Sequence, residues 1–175
     1  VTRSNYALYA MYSSDFETAD AEAEKLREID QSFFKAWLPT AMKALSEGDL
    51  VAARAAYESM RQTGSRGAST AGLGFADLEM FAGNFGRARE ILVKEIPKDA
   101  DSGNRYGEAV KQMALAEALI AQGDNAAAIE AVGKGLELVS TDATLVPGAL
   151  VYLAAGEADR AQELADTLAE TLSAQ

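Results

Sequence analysis

The sequence predicts an all-α solenoid, an array of about five stacked helix pairs, and two regularities along its 175 residues support this fold class. Alanines recur in pairs twelve residues apart, at Ala7/Ala19, Ala41/Ala53, Ala76/Ala88, Ala116/Ala128 and Ala149/Ala161. Seven residues after the first alanine of each pair stands a small residue, at Ser14, Gly48, Gly83, Gly123 and Gly156. These small residues are 33 to 40 positions apart. A period in this range is typical of helical repeats that stack on one another.

The period divides the chain into units of approximately 1–31, 32–66, 67–100, 101–140 and 141–175, which we expect to form one repeat domain of a longer protein. Each unit is predicted as a helix, a turn at the small residue and a second helix. In the second unit, apolar residues follow helical spacing from Trp37 to Leu45. Gly48 then accepts the left-handed conformation that ends a helix, and Asp49 caps the next one. The other four units repeat this order around their own small residue.

The paired alanines are predicted to lie where the two helices of each unit cross. A methyl group there lets antiparallel backbones approach to the short end of the usual ~8–10 Å between helix axes. A larger side chain would push the helices apart.

Prolines and glycines predict three local departures from this pattern. Pro39 and Pro147 occupy equivalent positions in the first helices of units two and five, where proline starts or kinks a helix or is tolerated in its first turn. The longest spacing predicts an extended connection at residues 97–104, with Asp101 or Ser102 capping the next helix. Gly72 and Gly74 are predicted to lie within a helix, because no strand precedes them and no third glycine follows at a dinucleotide-loop offset.

The composition excludes several kinds of chemistry. The chain has no histidine and no cysteine, which removes His-based acid–base catalysis, Ser-His and Cys-His triads and nearly all zinc sites. We therefore expect no enzyme activity, no catalytic residue, no cofactor and no metal. The net charge of −11 repels phosphate backbones, so nucleic acid is not an expected partner. No run approaches the ~20 apolar residues of a membrane helix.

The cellular compartment stays open, because the lack of cysteine is compatible with both reducing and oxidising surroundings. A cytoplasmic location is favoured. An extracytoplasmic one would require that the parent chain is anchored in a membrane.

The repeat resembles that of the tetratricopeptide repeat (TPR) family, whose pattern is W-x2-L-G-x2-Y, then A-x3-F, then P. The second unit has Trp37, Ala41, Ala53 and Tyr57 at the matching positions. The other units keep the small positions and differ elsewhere: Glu79 stands where the family has an aromatic residue, and no unit has the closing proline in register. The resemblance covers essentially the whole chain and implies a right-handed superhelical solenoid whose first helices line a concave groove.

The resemblance also implies which residues line that groove. They are Leu8, Met11, Tyr12, Lys35, Leu38, Met42, Leu73, Asp77, Met80, Phe81, Met113, Glu117, Ile120 and Leu150. Four of the five methionines fall in this set, and flexible thioethers suit surfaces that adapt to a bound segment. The alternative is that many of the apolar members pack between neighbouring first helices.

These observations predict a non-catalytic scaffold that binds an apolar or amphipathic segment of another protein, with a basic residue of that segment facing Asp77 and Glu117. Two alternatives stay open. One is a regulatory or self-associating (homodimeric) module, in keeping with a looser resemblance to the repeat regions appended to bacterial Ser/Thr kinases and other signalling proteins. The other is a peptide or small-molecule sensor.

The last helix is predicted to have an apolar stripe, since Leu164, Leu168 and Leu172 recur every four residues. We expect flanking sequence or a second copy of the chain to cover it. The alternative is that the stripe packs back onto the first helix of unit five.

Overall fold

The computed structural model describes residues 2–173, apart from the side chain of Leu172. Over this range the chain forms ten α-helices and one 3₁₀ helix (Phe34–Trp37), with no β-strand. The predicted all-α repeat fold is confirmed. The α-helices are α1 (Arg3–Tyr12), α2 (Phe16–Ile29), α3 (Leu38–Ser46), α4 (Leu50–Arg61), α5 (Ser65–Phe81), α6 (Phe85–Asp101), α7 (Arg105–Ala121), α8 (Asn125–Leu138), α9 (Asp142–Ala155) and α10 (Ala158–Ser173).

The predicted turns lie at the five small residues. Gly48, Gly83, Gly123 and Gly156 have φ values of 75°, 76°, 79° and 87°, and Ser14 has φ 63°. This left-handed conformation reverses the chain after the first helix of each pair. Aspartates then cap three of the second helices, because the carboxylates of Asp15, Asp49 and Asp124 accept hydrogen bonds from backbone N–H groups three residues later, at 2.9–3.3 Å.

The predicted connection at residues 97–104 is wrong. Helix α6 continues through Pro97 to Asp101, and only residues 102–104 separate it from α7. Because Pro97 has no N–H group, the carbonyl of Val93 has no helical hydrogen-bond donor. Both residues are exposed, so water can donate to that carbonyl. A left-handed glycine, Gly103 (φ 70°), makes the turn, and Asn104 rather than Asp101 or Ser102 caps α7.

The other two prolines both lie within helices. Helix α3 starts at Leu38 with Pro39 in its first turn, where a missing N–H costs no helical hydrogen bond, so Pro39 marks a helix start as one of the expectations had it. Pro147 lies in the interior of α9, which begins five residues earlier at Asp142.

The chain divides into two compact units, residues 1–78 and 79–175, and each is described on its own. From here on, 'first unit' and 'second unit' mean these two parts of the chain and not the first two of the five repeats. The first unit contains α1 to α4 and most of α5. In the second unit, α7 contacts α6, α8 and α9, and its core is built around Leu119, Val132, Val151 and Tyr152. No helix of the described residues has both the length and the apolar character to cross a membrane.

The predicted alanine pairs lie in the interior with one partial exception. Ala149 is half-buried. The other nine are at most 3% exposed: Ala7, Ala19, Ala41, Ala53, Ala76, Ala88, Ala116, Ala128 and Ala161. Their role as helix-crossing residues stays a prediction.

Glycine extends the same close packing to α4 and α5 in the first unit. Gly74 lies inside α5, and a Cβ atom at this position would overlap the ring of Tyr57 on α4. Tyr57 is 3% exposed and packs edge-on against Phe75, with ring centroids 6.0 Å apart. The Gly72–Gly74 segment is therefore a helix that admits an aromatic ring, as expected of a helical rather than a nucleotide-binding glycine pair.

A buried ion pair joins α6 to α7 in the second unit. The ammonium of Lys111 (1% exposed) donates to the carboxylate of Asp99, which is 3% exposed. Asn104 Nδ2 donates to the other oxygen of the same carboxylate at 3.0 Å. Because the interior is low in dielectric, the two charges attract each other strongly, and removing one of them destabilises the fold.

We expect Ser14→Gly to raise the free energy of unfolding by about 1 kcal/mol, because only glycine adopts the left-handed conformation without a Cβ penalty. Urea unfolding followed by circular dichroism measures the change. Ser13→Gly is the matched control: Ser13 has φ −87°, so glycine there should bring no gain. Equal effects of the two variants would contradict the prediction.

We expect Ala53→Leu and Ala128→Leu each to cost roughly 1–3 kcal/mol by overpacking a helix crossing. The neighbouring exposed alanines Ala52 and Ala126 provide controls, since leucine there meets solvent. Thermal unfolding of the four variants separates the cases. If the buried and exposed substitutions melt alike, the alanines do not lie at crossings.

We expect Lys111→Met to cost about 3–5 kcal/mol, because Asp99 is left charged and buried. Adding Asp99→Asn should recover most of the loss, since an amide is neutral and its oxygen still accepts from Asn104. Lys134→Met, which removes only an exposed pair with Glu130, should change stability by less than about 1 kcal/mol. A double variant no more stable than Lys111→Met would argue against the charge as the cause.

Candidate binding surface on the first helices

The predicted groove residues of the first unit have mixed exposure. Tyr12 is 74% exposed, and the charged residues Lys35 and Asp77 are exposed as well. The aliphatic and thioether members are half-buried: Leu8, Met11, Leu38, Met42 and Leu73. Half-burial fits the alternative that such residues pack partly between helices. The chemistry offered to solvent in this unit is therefore aromatic and charged more than aliphatic.

Asp77 acts on the interior of the first unit as well as on its surface. Burial, with a smaller contribution from the charge of Asp77, raises the pKa of the Tyr57 hydroxyl to about 12. Tyr57 therefore stays neutral across the physiological pH range and serves as a packing residue.

The predicted groove residues of the second unit include two large exposed apolar side chains. Phe81 is 69% exposed and Leu150 is 60% exposed. Met80 and Ile120 are half-buried, and Glu117 is exposed.

Met113 does not lie on the surface, and its assignment to the groove is wrong for this conformation. Met113 is 2% exposed and belongs to the core cluster of the second unit. Its terminal methyl occupies the space that a Cβ atom at Gly135 on α8 would fill, and its sulfur lies close to Gly148 on α9. Because both neighbours lack a side chain, the thioether inserts inward. The other methionines of the set, Met11, Met42 and Met80, are half-buried and stay candidates.

Helix α9 presents an apolar stripe to solvent. Val146, Leu150 and Leu153 are 44%, 60% and 57% exposed, and their spacing of four and three residues places them on one face. The opposite face, with Leu145, Val151 and Tyr152, is buried. Helix α9 is thus apolar on both faces, although only one of them reaches the core. We call Val146, Leu150 and Leu153 the α9 stripe.

Helix α9 is fixed firmly at both ends, which holds the stripe in place. A capping box closes its N-terminus: the side chain of Thr141 accepts from the backbone of Thr144, and the Thr144 hydroxyl accepts from the backbone of Thr141. Gly156 ends the helix in the left-handed conformation. Arg160 of α10 then donates to the Tyr152 hydroxyl at 2.7 Å and lies over its ring.

Glu117 on α7 supplies negative charge to the first-helix surface of the second unit, and α7 and α9 are in contact. Desolvation raises the pKa of its carboxyl even though the side chain as a whole is exposed. No basic residue of the described chain pairs with Glu117 to offset its charge.

The stripe predicted on the last helix is partly covered by the chain itself. Leu164 packs against the core cluster of the second unit and contacts the position of Gly148 on α9. Leu168 is half-buried, and the side chain of Leu172 lies outside the described residues. For Leu164 the alternative prediction is correct: its side chain packs back onto α9, the first helix of repeat unit five, because Gly148 leaves room for it.

The described residues contain no group of three or more acidic side chains that could hold a metal ion.

Comparison with known proteins shows which solved structures have a similar fold. No protein-family model matches the chain, and no curated protein matches it either. Solved structures do match. A protein from Podospora anserina, described as a kinesin light chain with nearly identical TPR-like repeats, has a TM-score of 0.62 at 17% identity, over 94% of this chain and 90% of that chain.

Two further structures agree. A single-residue variant of the Podospora protein has a TM-score of 0.63 at 17% identity, over 94% of this chain and 90% of that chain. YrrB, described as a TPR protein with an unusual peptide-binding site, has a TM-score of 0.50 at 14% identity, over 94% of this chain and 81% of that chain. At such low identity these similarities concern the fold. The chain has a TPR-like repeat fold, as the spacing of its alanines and turn residues predicts.

Proposed function

We propose that this protein is a non-catalytic interaction scaffold and that the first-helix surface of its second unit binds a segment of another protein. The observation that supports the proposal most is the α9 stripe. Exposed apolar side chains arranged contiguously on a rigid element are typical of protein-binding surfaces. The peptide-binding site of YrrB, which has a similar fold, is in keeping with this function.

The composition of the surface indicates what it binds. The α9 stripe offers three aliphatic side chains in a row, which suits an apolar or amphipathic segment. Glu117 adds a carboxylate with no basic partner in the described chain. A basic residue beside the apolar ones in the ligand would therefore complement the surface, and an acidic residue would be repelled.

Selection of peptides from a display library against the immobilised protein tests this proposal, because the library itself supplies the candidate ligands. We expect the selected peptides to combine apolar with basic residues and to lose at least about tenfold in affinity for the Leu150→Glu/Leu153→Glu variant, because two buried leucine contacts are replaced by desolvated charge. Fluorescence anisotropy with a labelled selected peptide measures the affinity. Glu117→Gln should weaken the basic peptides by roughly threefold, the size of one exposed ion pair.

The matched control is Val51→Glu/Val93→Glu, which places the same two charges on exposed aliphatic positions of the second helices α4 and α6. It should bind the peptides as the wild type does. Equal loss in both double variants would indicate a non-specific charge effect, and unchanged binding in both would move the site elsewhere.

Light scattering on the same variants distinguishes binding of a second copy of the chain from binding of a different protein. A wild-type dimer that the Leu150→Glu/Leu153→Glu variant dissociates would show that the α9 stripe binds a second copy of the chain. A wild-type protein that is monomeric at all concentrations would indicate that the α9 stripe binds a different protein.

A further inference from the structure

A cleft of about 690 Å³ opens in the first unit, apart from the α9 stripe, which lies in the second unit. Residues of α2, the following loop, the 3₁₀ helix and the end of α4 form its walls. Glu24 and Glu28 line one side, the single tryptophan Trp37 another, and Gln31 and Gln62 add side-chain amides.

The arginine that lines the cleft has its charge engaged elsewhere. Arg27 donates to the carbonyl of Ala36 at 2.6 Å and to the hydroxyl of Thr40 at 2.8 Å. Its guanidinium lies 4.6 Å from the centre of the Trp37 ring and 3.9 Å from the carboxylate of Asp20. Asp20 in turn accepts from Thr40 at 2.5 Å. Arg27 is therefore a fixed wall group whose charge Asp20 balances.

Glu24 and Glu28 are left without a cation, in contrast to the other carboxylates of α2. Glu17 pairs with Lys43, and Glu22 pairs with both Arg3 and Lys25. Neither Glu24 nor Glu28 has an ion pair or hydrogen bond within the described chain, although both are exposed beside the cleft. They lie one helical turn apart on one face, where like charges repel each other. The cleft therefore has an excess of two negative charges.

Trp37 gives the cleft an apolar wall and also has an unpaired hydrogen-bond donor within the described chain. Its indole Nε1 is buried and has no hydrogen-bond partner among the described residues. Native proteins seldom leave a buried donor unpaired, because its desolvation is not compensated. The ring itself lines the cleft and provides an apolar surface on which the methylene chain of a lysine or arginine can lie.

From these groups we infer that the cleft is a docking site for an extended basic segment of a partner protein, with Lys or Arg side chains at two alternate positions. The two cationic groups pair with Glu24 and Glu28, and one methylene chain packs on Trp37. Alternate residues of an extended segment are roughly 7 Å apart, which is close to the ~5–6 Å between the Cβ atoms of residues one helical turn apart. The site does not depend on the α9 stripe, so either proposal can fail without the other.

The single tryptophan makes binding directly observable, because the intrinsic indole emission of the whole chain comes from the cleft. The probe is the blocked peptide acetyl-Gly-Lys-Gly-Lys-Gly-amide, titrated at low ionic strength. We expect a saturable change in Trp37 emission that weakens as salt is added. The corresponding Glu-containing peptide should produce none. Absence of a saturable change with the basic peptide would overturn the inference.

Charge-matched variants test the residues. Glu24→Gln/Glu28→Gln should weaken the basic peptide by roughly tenfold, the product of two exposed ion pairs. Glu17→Gln/Glu47→Gln removes the same net charge from the same unit at carboxylates that pair with Lys43, and it should bind as the wild type does. Equal weakening in both variants would mean that only the overall charge attracts the peptide, and would contradict the inference.

Two controls complete the test. The Glu24→Gln/Glu28→Gln variant should melt at or above the wild-type temperature by circular dichroism, because a repulsion is removed, so that loss of binding is not loss of fold. The diamine 1,4-diaminobutane replaces the peptide in the last titration. Affinity at least as high as that of the peptide would show that the cleft recognises free amines rather than a protein segment.

Discussion

The filling of the interior by small residues is the constraint on which the rest of the structure depends. Most of the buried apolar residues of the described chain are alanines, so methyl groups fill much of the interior of each unit. A contact between helices that is made through small residues leaves little room for large side chains. Some large side chains occupy a recess left by glycine, as Tyr57 does beside Gly74, while others, such as Leu150 and Phe81, stay on the surface.

The same constraint explains why the sequence predicts the fold better than the surface. The turn residues and alanines act locally: a left-handed position favours glycine wherever it occurs, and a crossing accepts only a small side chain. Their spacing therefore predicts the helices and the turns between them. The prediction of a connection at residues 97–104 failed because it assigned the extra length of the longest spacing to a loop, whereas α6 and α7 take it up as helices of 17 residues each. Pro97 lies on the solvent-facing side of α6, where water can replace the missing hydrogen bond.

Residue positions alone predict the binding surface less well, since exposure depends on which neighbour leaves space. Met113 occupies a groove position of its repeat, yet Gly135 and Gly148, which follow it by more than twenty residues, open the recess that receives it. Lys111 and Asp99 look like two ordinary surface charges on consecutive helices, and only the structure shows them buried together. Such long-range pairings leave no periodic signal. Leu150 stays exposed as its position predicts.

The availability of charged groups, like the exposure of apolar ones, depends on contacts between residues that are distant in sequence. The net charge of −11 predicts an acidic surface that repels nucleic acid, but it does not say where the acidity is available to a partner. On α2 alone, Glu22 is neutralised by two cations while Glu24, two residues later, has none. The difference arises because Arg27, which helical spacing would pair with Glu24, turns instead to Asp20, Thr40 and Trp37. The tertiary contacts of Arg27 thus leave Glu24 without the cation that helical spacing would give it.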